Sequence, residues 1–159
     1  MRLAQSKIGS LQEIQERVEE ARRAGQRVAF ANGCFDVFHV GHVRYLESAK
    51  REAEVLVVGV NGDESVRRLK GEGRPVQPEE DRALLVAGLG AVDHVVVFHD
   101  HDVSNLLLAL RPDVHCKGTD YTPDTVPERV VVRSYGGRVA IVGDPKDHDT
   151  RKIIERLRG

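Results

Sequence analysis

Residues 27–42 read RVAFANGCFDVFHVGH, and residues 54–61 read EVLVVGVN. The first stretch opens with a short apolar run, Arg27–Ala31, that stops at a glycine, as a strand covered on both faces does. From about Gly41 to Ala53 the apolar residues Val43, Leu46 and Ala49 recur at helical spacing. Glu54–Val60 is again continuously apolar and is the clearest buried strand in the chain. Strand, helix and strand joined by short connections predict parallel pairing, because a crossover helix is what returns the chain to the same end of a sheet. Working outward, Ser10 and Glu13 have capping-box spacing, and Leu11, Ile14, Val18 and Ala21 continue from them as one helical stripe ending near Gly25. Further strands are expected at His94–Phe98, Asp113–Cys116 and Arg138–Val142. Helices are expected near Pro78–Gly88, Asp102–Leu110, Pro127–Tyr135 and Thr150–Leu157. The pattern is α/β: a parallel sheet with helices on both faces, whose ligand belongs at the carboxyl ends of the strands.

The 159 residues fit one domain, in which a single core buries roughly 70% of the surface of the unfolded chain. Hydrophobic residues make up 40% and charged residues 31%, the balance of a globular protein. A formal net charge of −1 argues against duplex nucleic acid as a partner, which needs a clustered cationic excess. The 4% of aromatics and the lack of Trp argue against a base-stacking platform as well. Two cysteines, Cys34 and Cys116, make no disulfide framework and fit a reducing compartment. No signal-like segment and no 18-residue apolar run is present, so no membrane partner and a cytoplasmic location are expected.

The segment Ala31–His42 carries most of the chemistry. It runs from the end of a buried strand into the start of a helix, where phosphate sites are built. His39 and His42 are three residues apart, so their rings can project on one side of the helix start. Gly41 removes a side chain where a ligand approaches the backbone. Two imidazoles at a helix N-terminus suit phosphoryl or nucleotidyl transfer, in which a protein positions groups and stabilises charge. As zinc ligands with Cys34 they lack third and fourth ligands at a usual spacing. As plain helix-start residues they would leave the surrounding strand, glycine and Phe-Asp without a reason.

The segment GCFDVFHVGH resembles the signature of the HxGH nucleotidyltransferases. NGCFD, RRLKGEGRP and KGTDYT resemble one branch of that family, the adenylyltransferase domain of ADP-heptose synthase. The likeness covers nearly all of the chain from Arg27 onward, four motifs in order. It implies a single-domain, Rossmann-like HxGH nucleotidyltransferase fold, with residues 1–26 as an N-terminal helix and 27–159 as the catalytic core. It implies joining ATP to D-glycero-β-D-manno-heptose 1-phosphate with release of pyrophosphate, Mg²⁺ accompanying the ATP, and a homodimer. The chain is similar to the stand-alone transferase, without the sugar kinase domain fused to it in some relatives.

The resemblance also implies roles. His39 and His42 contact the α- and β-phosphates, and Asn32, Gly33, Cys34 and Phe35 line the nucleotide site. Asp36 and Phe35 form its floor. Asn61, Gly62 and Asp63 face the sugar phosphate, while Lys70 and Arg74 close over the phosphates. Arg82 matches a basic position at the start of the next helix in cytidylyltransferase relatives. Lys117, Gly118, Thr119 and Asp120 match the loop that holds the nucleoside. A Ser-Thr-Thr-like run at the last helix is replaced by Asp149-Thr150-Arg151, preceded by Lys146-Asp147-His148. There Thr150 can donate its hydroxyl and cap the helix, and Arg151 supplies charge. Asp149 beside a triphosphate is repulsive unless it holds a metal ion or points away; the sequence names no protein ligand for one.

Other features have plainer readings. Lys70–Gln77 (KGEGRPVQ) is glycine-rich, basic and without apolar anchors, the composition of a mobile loop. Pro78 suits a first helical position, with Glu79, Glu80 and Asp81 complementing the helix dipole. His99-Asp100-His101-Asp102 looks like a metal cluster but reads better as a polar turn in which Asp102 caps a helix. Cys116 beside His115 reads as strand interior. Ile153, Ile154 and Leu157 give the last helix an apolar stripe expected to be core. Two other functions remain open on the sequence: a cytidylyltransferase acting on glycerol 3-phosphate or a similar phosphoalcohol, and a non-catalytic nucleotide sensor.

Overall fold

The computed structural model describes residues 1–145 and 149–159, so Lys146-Asp147-His148 lie outside the described residues. Its elements in chain order are α1 (Ala4–Lys7), α2 (Leu11–Arg23), β1 (Val28–Gly33), α3 (Val40–Lys50), β2 (Val55–Asn61), α4 (Asp63–Lys70) and α5 (Glu79–Ala87). There follow β3 (His94–Phe98), α6 (Ser104–Leu110), β4 (Val114–Lys117), α7 (Arg129–Ser134), β5 (Arg138–Ile141) and α8 (Thr150–Arg158). The five strands form one parallel sheet in the order β3-β2-β1-β4-β5. All five expected strands are present, within a residue or two of their expected ends.

Side chains alternate across a strand, so each strand feeds two cores. Ala29 and Ala31 of β1, with Leu56, Val58 and Val60 of β2, pack against Leu46 and Ala49 of α3 and Ala83, Val86 and Ala87 of α5. Val28 and Phe30, with Val55 and Val57, pack on the opposite face against Ile14 and Val18 of α2, Leu106, Leu107 and Leu110 of α6, and Val132 of α7. This double burial is why β1 and β2 are continuous apolar runs. Gly59 belongs to the second face, where a Cβ would stand 2.8 Å from Cζ of Phe30; the glycine leaves room for that ring.

The capping box at α2 forms as expected, Glu13 N donating to Ser10 Oγ and Ser10 N to Glu13 Oε2. Residues 1–26, expected as one N-terminal helix, form two, α1 and α2, and they join the core: Ile14 and Val18 are buried, and Ile8 bridges to Val95 of β3. Pro78 stands at the cap of α5 rather than in its first turn. Asp102 accepts from Ser104 N just before α6, as a polar turn does.

Two further expectations fail. Lys70 is not in a loop but is the last residue of α4, a helix with a single fully buried apolar residue, Val66. The Ile153-Ile154-Leu157 stripe is not core: α8 has no buried residue, and Leu157 is 80% exposed. No helix among the described residues is long and apolar enough to cross a membrane.

Candidate active site

The carboxyl ends of the strands open into a cleft of about 830 Å³, reached by Asn32 from β1, Asn61 from β2, Phe98 from β3 and Lys117 from β4. The chain leaves β1 towards β2 and β3 and returns on the other side as β4. The cleft therefore sits at the switch point, where diverging connections leave a crevice.

The loop from β1 to α3 is strained where it enters the cleft. Phe35 (φ 48°) and Val37 (φ 51°) are both left-handed, a costly conformation for a β-branched residue. In return, the loop sets aromatic rings around one imidazole. His42 meets Phe35 edge-on and stacks on Phe38, both at 5.3 Å between centroids. Its ring also stacks on His39 at 3.9 Å.

Both imidazoles are oriented by the helix start. His39 is the N-cap of α3, and its Nδ1 accepts from Gly41 N at 3.1 Å. His42 Nδ1 accepts from His39 N at 3.2 Å, the reciprocal bond of a capping box. A nitrogen that accepts a backbone N–H carries no proton of its own, so the neutral rings hold their hydrogen on Nε2. In that tautomer each ring carries its N–H on Nε2, beside the positive end of the α3 dipole. That arrangement can stabilise negative charge growing on phosphate oxygens.

Asp36, only 2% exposed, does not present its carboxylate to a ligand. Arg74 Nε donates to its Oδ2 at 2.7 Å, and Val76 N and Gln77 N donate to the same carboxylate. Its role is internal: it ties down the second half of the Lys70–Gln77 loop, which the sequence left without anchors. Burial alone pushes this carboxyl up, but the bonds from Val76, Arg74 and Gln77 outweigh it and hold it below the usual carboxylate range. The backbone oxygen of Asp36 accepts from Thr150 Oγ1 at 2.7 Å. The hydroxyl proton of Thr150 is thus committed to the protein rather than to a phosphate, and the helix cap is Asp149, whose Oδ1 accepts from Lys152 N. That hydrogen bond holds Asp149 below the usual carboxylate range.

Arg82 is 0% exposed and lies beneath the cleft, not in it. Its guanidinium donates to the carbonyls of Gln77, Cys34 and Asn61, at 2.9, 2.7 and 2.6 Å, and to Asp63 Oδ1 at 2.8 Å. This corrects the expectation that Arg82 and Asp63 meet the substrate: they pair with each other, and neither lines the cleft. Nothing in the sequence around Arg82 signals that this guanidinium turns inward.

The other expected residues do come together. His39, His42, Gly33, Cys34, Gly41, Lys70 and Arg74 line the cleft, with Lys117, Gly118, Asp120 and Arg151 across from them. Burial pushes the Cys34 thiol up, against the pull of Lys70, Arg82 and Arg74. Lys117 Nζ lies 4.7 Å from the centre of the Tyr121 ring.

Sequence reasoning missed Arg44, Tyr45, Tyr121 and Glu128, which line the same cleft. Tyr45 had a signal: it follows His42 by three residues on α3, and its hydroxyl donates to Cys116 O. Tyr121 sits within the KGTDYT motif. Arg44 and Glu128 had no signal: Arg44 pairs at 3.4 Å with Asp144, and Glu128 is brought in only by the turn before α7.

Among the described residues no group of three or more His, Cys, Asp and Glu side chains is placed to hold a metal ion. Asp36, Asp144 and Asp149 are each committed to protein partners. Among the described residues, therefore, the donor set does not fit a resident ion held by the protein alone.

Residues 30–154 match the family described as Cytidylyltransferase-like. The chain is 47% identical over 152 residues to the bifunctional protein HldE of Syntrophotalea carbinolica, covering 96% of this chain and 31% of that protein. It is 50% identical over 141 residues to bifunctional protein HldE of Alcanivorax borkumensis, covering 89% and 30%. The chain thus spans about a third of the length of these relatives. Among solved structures, the lipopolysaccharide core biosynthesis protein of Thermoplasma volcanium superposes with a TM-score of 0.63 at 31% identity, over 74% of this chain and 95% of that one. Matched sequence thus begins at Phe30 in β1, runs through the paired imidazoles and continues into α8, and on that extent the chain belongs to the cytidylyltransferase-like family.

Proposed function

We propose that the chain transfers the adenylyl group of ATP to D-glycero-β-D-manno-heptose 1-phosphate, forming ADP-heptose and pyrophosphate. A phosphate oxygen of the sugar attacks the α-phosphorus; the bond from that phosphorus to the β-bridging oxygen breaks, and the electron pair leaves with pyrophosphate. A phosphate monoester is already an anion near neutral pH, so no general base is required. The chain's task is to align two anions and to balance the charge growing on the leaving group.

His39 and His42 donate from Nε2 to phosphate oxygens, and Lys70, Arg74 and Arg151 supply positive charge around them. Lys117, Gly118 and Asp120 hold the nucleoside, with Asn61 near the sugar phosphate. Mg²⁺ enters as part of the ATP substrate, held by its phosphates, and lowers their charge; Mg²⁺ commonly keeps few protein ligands. The reaction belongs in the cytoplasm, and a homodimer is the expected state.

The single observation that carries this reading is the stacked pair of imidazoles, each with Nδ1 capped by a backbone N–H, at a helix start inside the cleft. Support for the adenylyl branch comes from the resemblance of NGCFD, RRLKGEGRP and KGTDYT together with the similarity to the bifunctional proteins HldE. The test incubates ATP or CTP with a panel of sugar 1-phosphates and reads nucleotide-sugar by mass and pyrophosphate by coupled release. ADP-heptose is the expected product. Product from CTP alone, or none with any acceptor, defeats the proposal. His42→Ala is expected to lower turnover about 100- to 1,000-fold with an unchanged circular dichroism spectrum.

A further inference from the structure

The cleft crosses the sheet, and the proposed reaction divides it. The paired imidazoles follow β1 in the middle of the strand order, and the Lys117–Asp120 loop given to the nucleoside follows β4 on one side. An attacking oxygen must stand opposite the leaving oxygen across the phosphorus, and the acceptor cannot share the place of the nucleoside. The flank that remains is at the carboxyl ends of β2 and β3, where Asn61, Leu69, Lys70, Phe98, His101 and Asp102 line the cleft. Asn61 and Phe98 are in register there. The turn after Phe98 is held by its neighbours: Gly62 N donates to Phe98 O at 2.8 Å, Arg68 Nη2 donates to His99 O at 3.1 Å, and His99 Nε2 meets Glu79 Oε2 at 2.9 Å. His101 and Asp102 are exposed. Asp102 Oδ1 accepts from Ser104 N at 2.8 Å, which fixes the carboxylate, while Oδ2 has no hydrogen-bond partner among the described residues.

We propose that Asp102 and His101 read the hydroxyl groups of the acceptor sugar, Asp102 accepting at Oδ2 and His101 bonding through its ring nitrogens, with Leu69 against the carbon face of the sugar. This rests on the function proposed above and adds the residues that select a polyhydroxylated acceptor. A carboxylate in a cleft that gathers two anions repels their phosphates, so it suits a bound substrate only beside an uncharged part that brings donors. Each sugar hydroxyl is such a donor and can turn to meet a fixed oxygen. A neutral imidazole donates from one nitrogen and accepts at the other, which matches a hydroxyl in either sense. Lys70 and Asn61, on the same flank, stay with the phosphate. Leu69, next to last in α4, is 58% exposed, and the C–H face of a pyranose can shield such a side chain from water. The polar turn before α6 thereby has a second use: capping occupies one oxygen of Asp102 and leaves the other to the substrate.

The test is steady-state kinetics of Asp102→Asn and His101→Ala on heptose 1-phosphate and its monodeoxy analogues, at several Mg²⁺ concentrations, with folding checked by thermal midpoint. Asp102→Asn keeps an oxygen for Ser104 N and replaces the free one by an amide, so the fold is spared. It should raise the KM for the sugar phosphate about ten- to a hundredfold, as expected for a hydrogen bond to a charged group, and leave the KM for ATP and the Mg²⁺ dependence unmoved. His101→Ala should raise the KM for the sugar phosphate about two- to tenfold, as expected for a neutral hydrogen bond. One monodeoxy analogue should be poor with the unaltered chain yet lose nothing further with Asp102→Asn, identifying the hydroxyl. An unmoved KM for the sugar phosphate in both variants, or a change in the KM for ATP or in the Mg²⁺ dependence instead, overturns the inference and leaves the proposed function standing. An unaltered chain that makes no nucleotide-sugar overturns both.

Discussion

The Asp36 carboxylate meets the Arg74 guanidinium at 2.7 Å, and around this pair two segments remote in sequence are joined. The side chain of Asp36 holds the loop that carries Arg74, Val76 and Gln77, while its backbone oxygen receives Thr150 at the start of α8. The floor of the cleft and two of its rims thus share one residue. A ligand that pulls on either rim pulls on Asp36.

Asp36→Asn should therefore cost both stability and alignment. Breaking a buried ion pair costs about 3–5 kcal/mol, and Arg74, with its side chain 18% exposed, can recover part of that from water. A loss of about 2–3 kcal/mol, or roughly 5–10 °C in thermal midpoint, is expected, with higher KM for both substrates. Because the folded carboxyl titrates below its unfolded value, its contribution is complete above about pH 4 and disappears as pH falls through the folded value. Urea midpoints of the two proteins should differ by a constant amount above pH 4 and converge below it. Parallel curves down to pH 2 would remove the ionised pair from the account.

Arg82→Lys tests the buried clamp. One guanidinium reaches Cys34 O at the loop after β1, Asn61 O at the end of β2, Gln77 O and Asp63. A single ammonium cannot reach four acceptors spread over a planar fork, so carbonyls are left unpaired. Destabilisation of about 2–4 kcal/mol is expected, with a fall in turnover larger than any change in KM, since the clamp positions strand ends without touching substrate. Unchanged denaturant midpoints would show that water replaces the lost bonds.

The sequence made the sheet legible because its strands are buried on both faces and its long helices carry clear stripes. It hid α4 because Asp63–Lys70 buries little; the available cue was charge, acidic Asp63 and Glu64 in the first turn and Arg67, Arg68 and Lys70 in the last. The paired imidazoles were legible since three-residue spacing at a helix start brings rings together. Strand order was not, because it depends on long-range pairing such as Phe30 with His115. The inward turn of Arg82 and the place of Glu128 were hidden for the same reason: each is set by partners far away in the chain. The α8 stripe misled because amphipathic spacing records that a face is apolar and not whether anything covers it.

Acid should weaken the fold well before the carboxylates titrate. Burial lowers His94 to about 4 and moves His115 in the same direction. Between pH 6.5 and about 4 the unfolded chain binds protons that the folded chain does not, so stability is complete above pH 6.5 and declines as pH falls through that window. The thermal midpoint should fall across it, and His94→Gln should make the fall shallower while changing the value at pH 8 little. Identical slopes for both proteins would mean that His94 takes up its proton without unfolding cost.

Gly59→Ala asks how tightly the α6 face of the sheet is packed. An added Cβ would stand 2.8 Å from Phe30 Cζ, 3.1 Å from Leu106 Cδ2 and 3.3 Å from Phe98 Cε1, so at least one ring must shift. Overpacking of this kind costs about 1–3 kcal/mol, or roughly 3–10 °C in thermal midpoint. Its functional effect should be one-sided. Phe98 lines the half of the cleft holding Asn32 and Glu128, whereas the imidazoles pack on Phe35 and Phe38 across the sheet. Displacing Phe98 should raise the KM of the substrate that occupies that half and spare the other. An equal rise for both substrates would mean that the strain passes through the sheet to α3, and that the two halves of the cleft do not act separately.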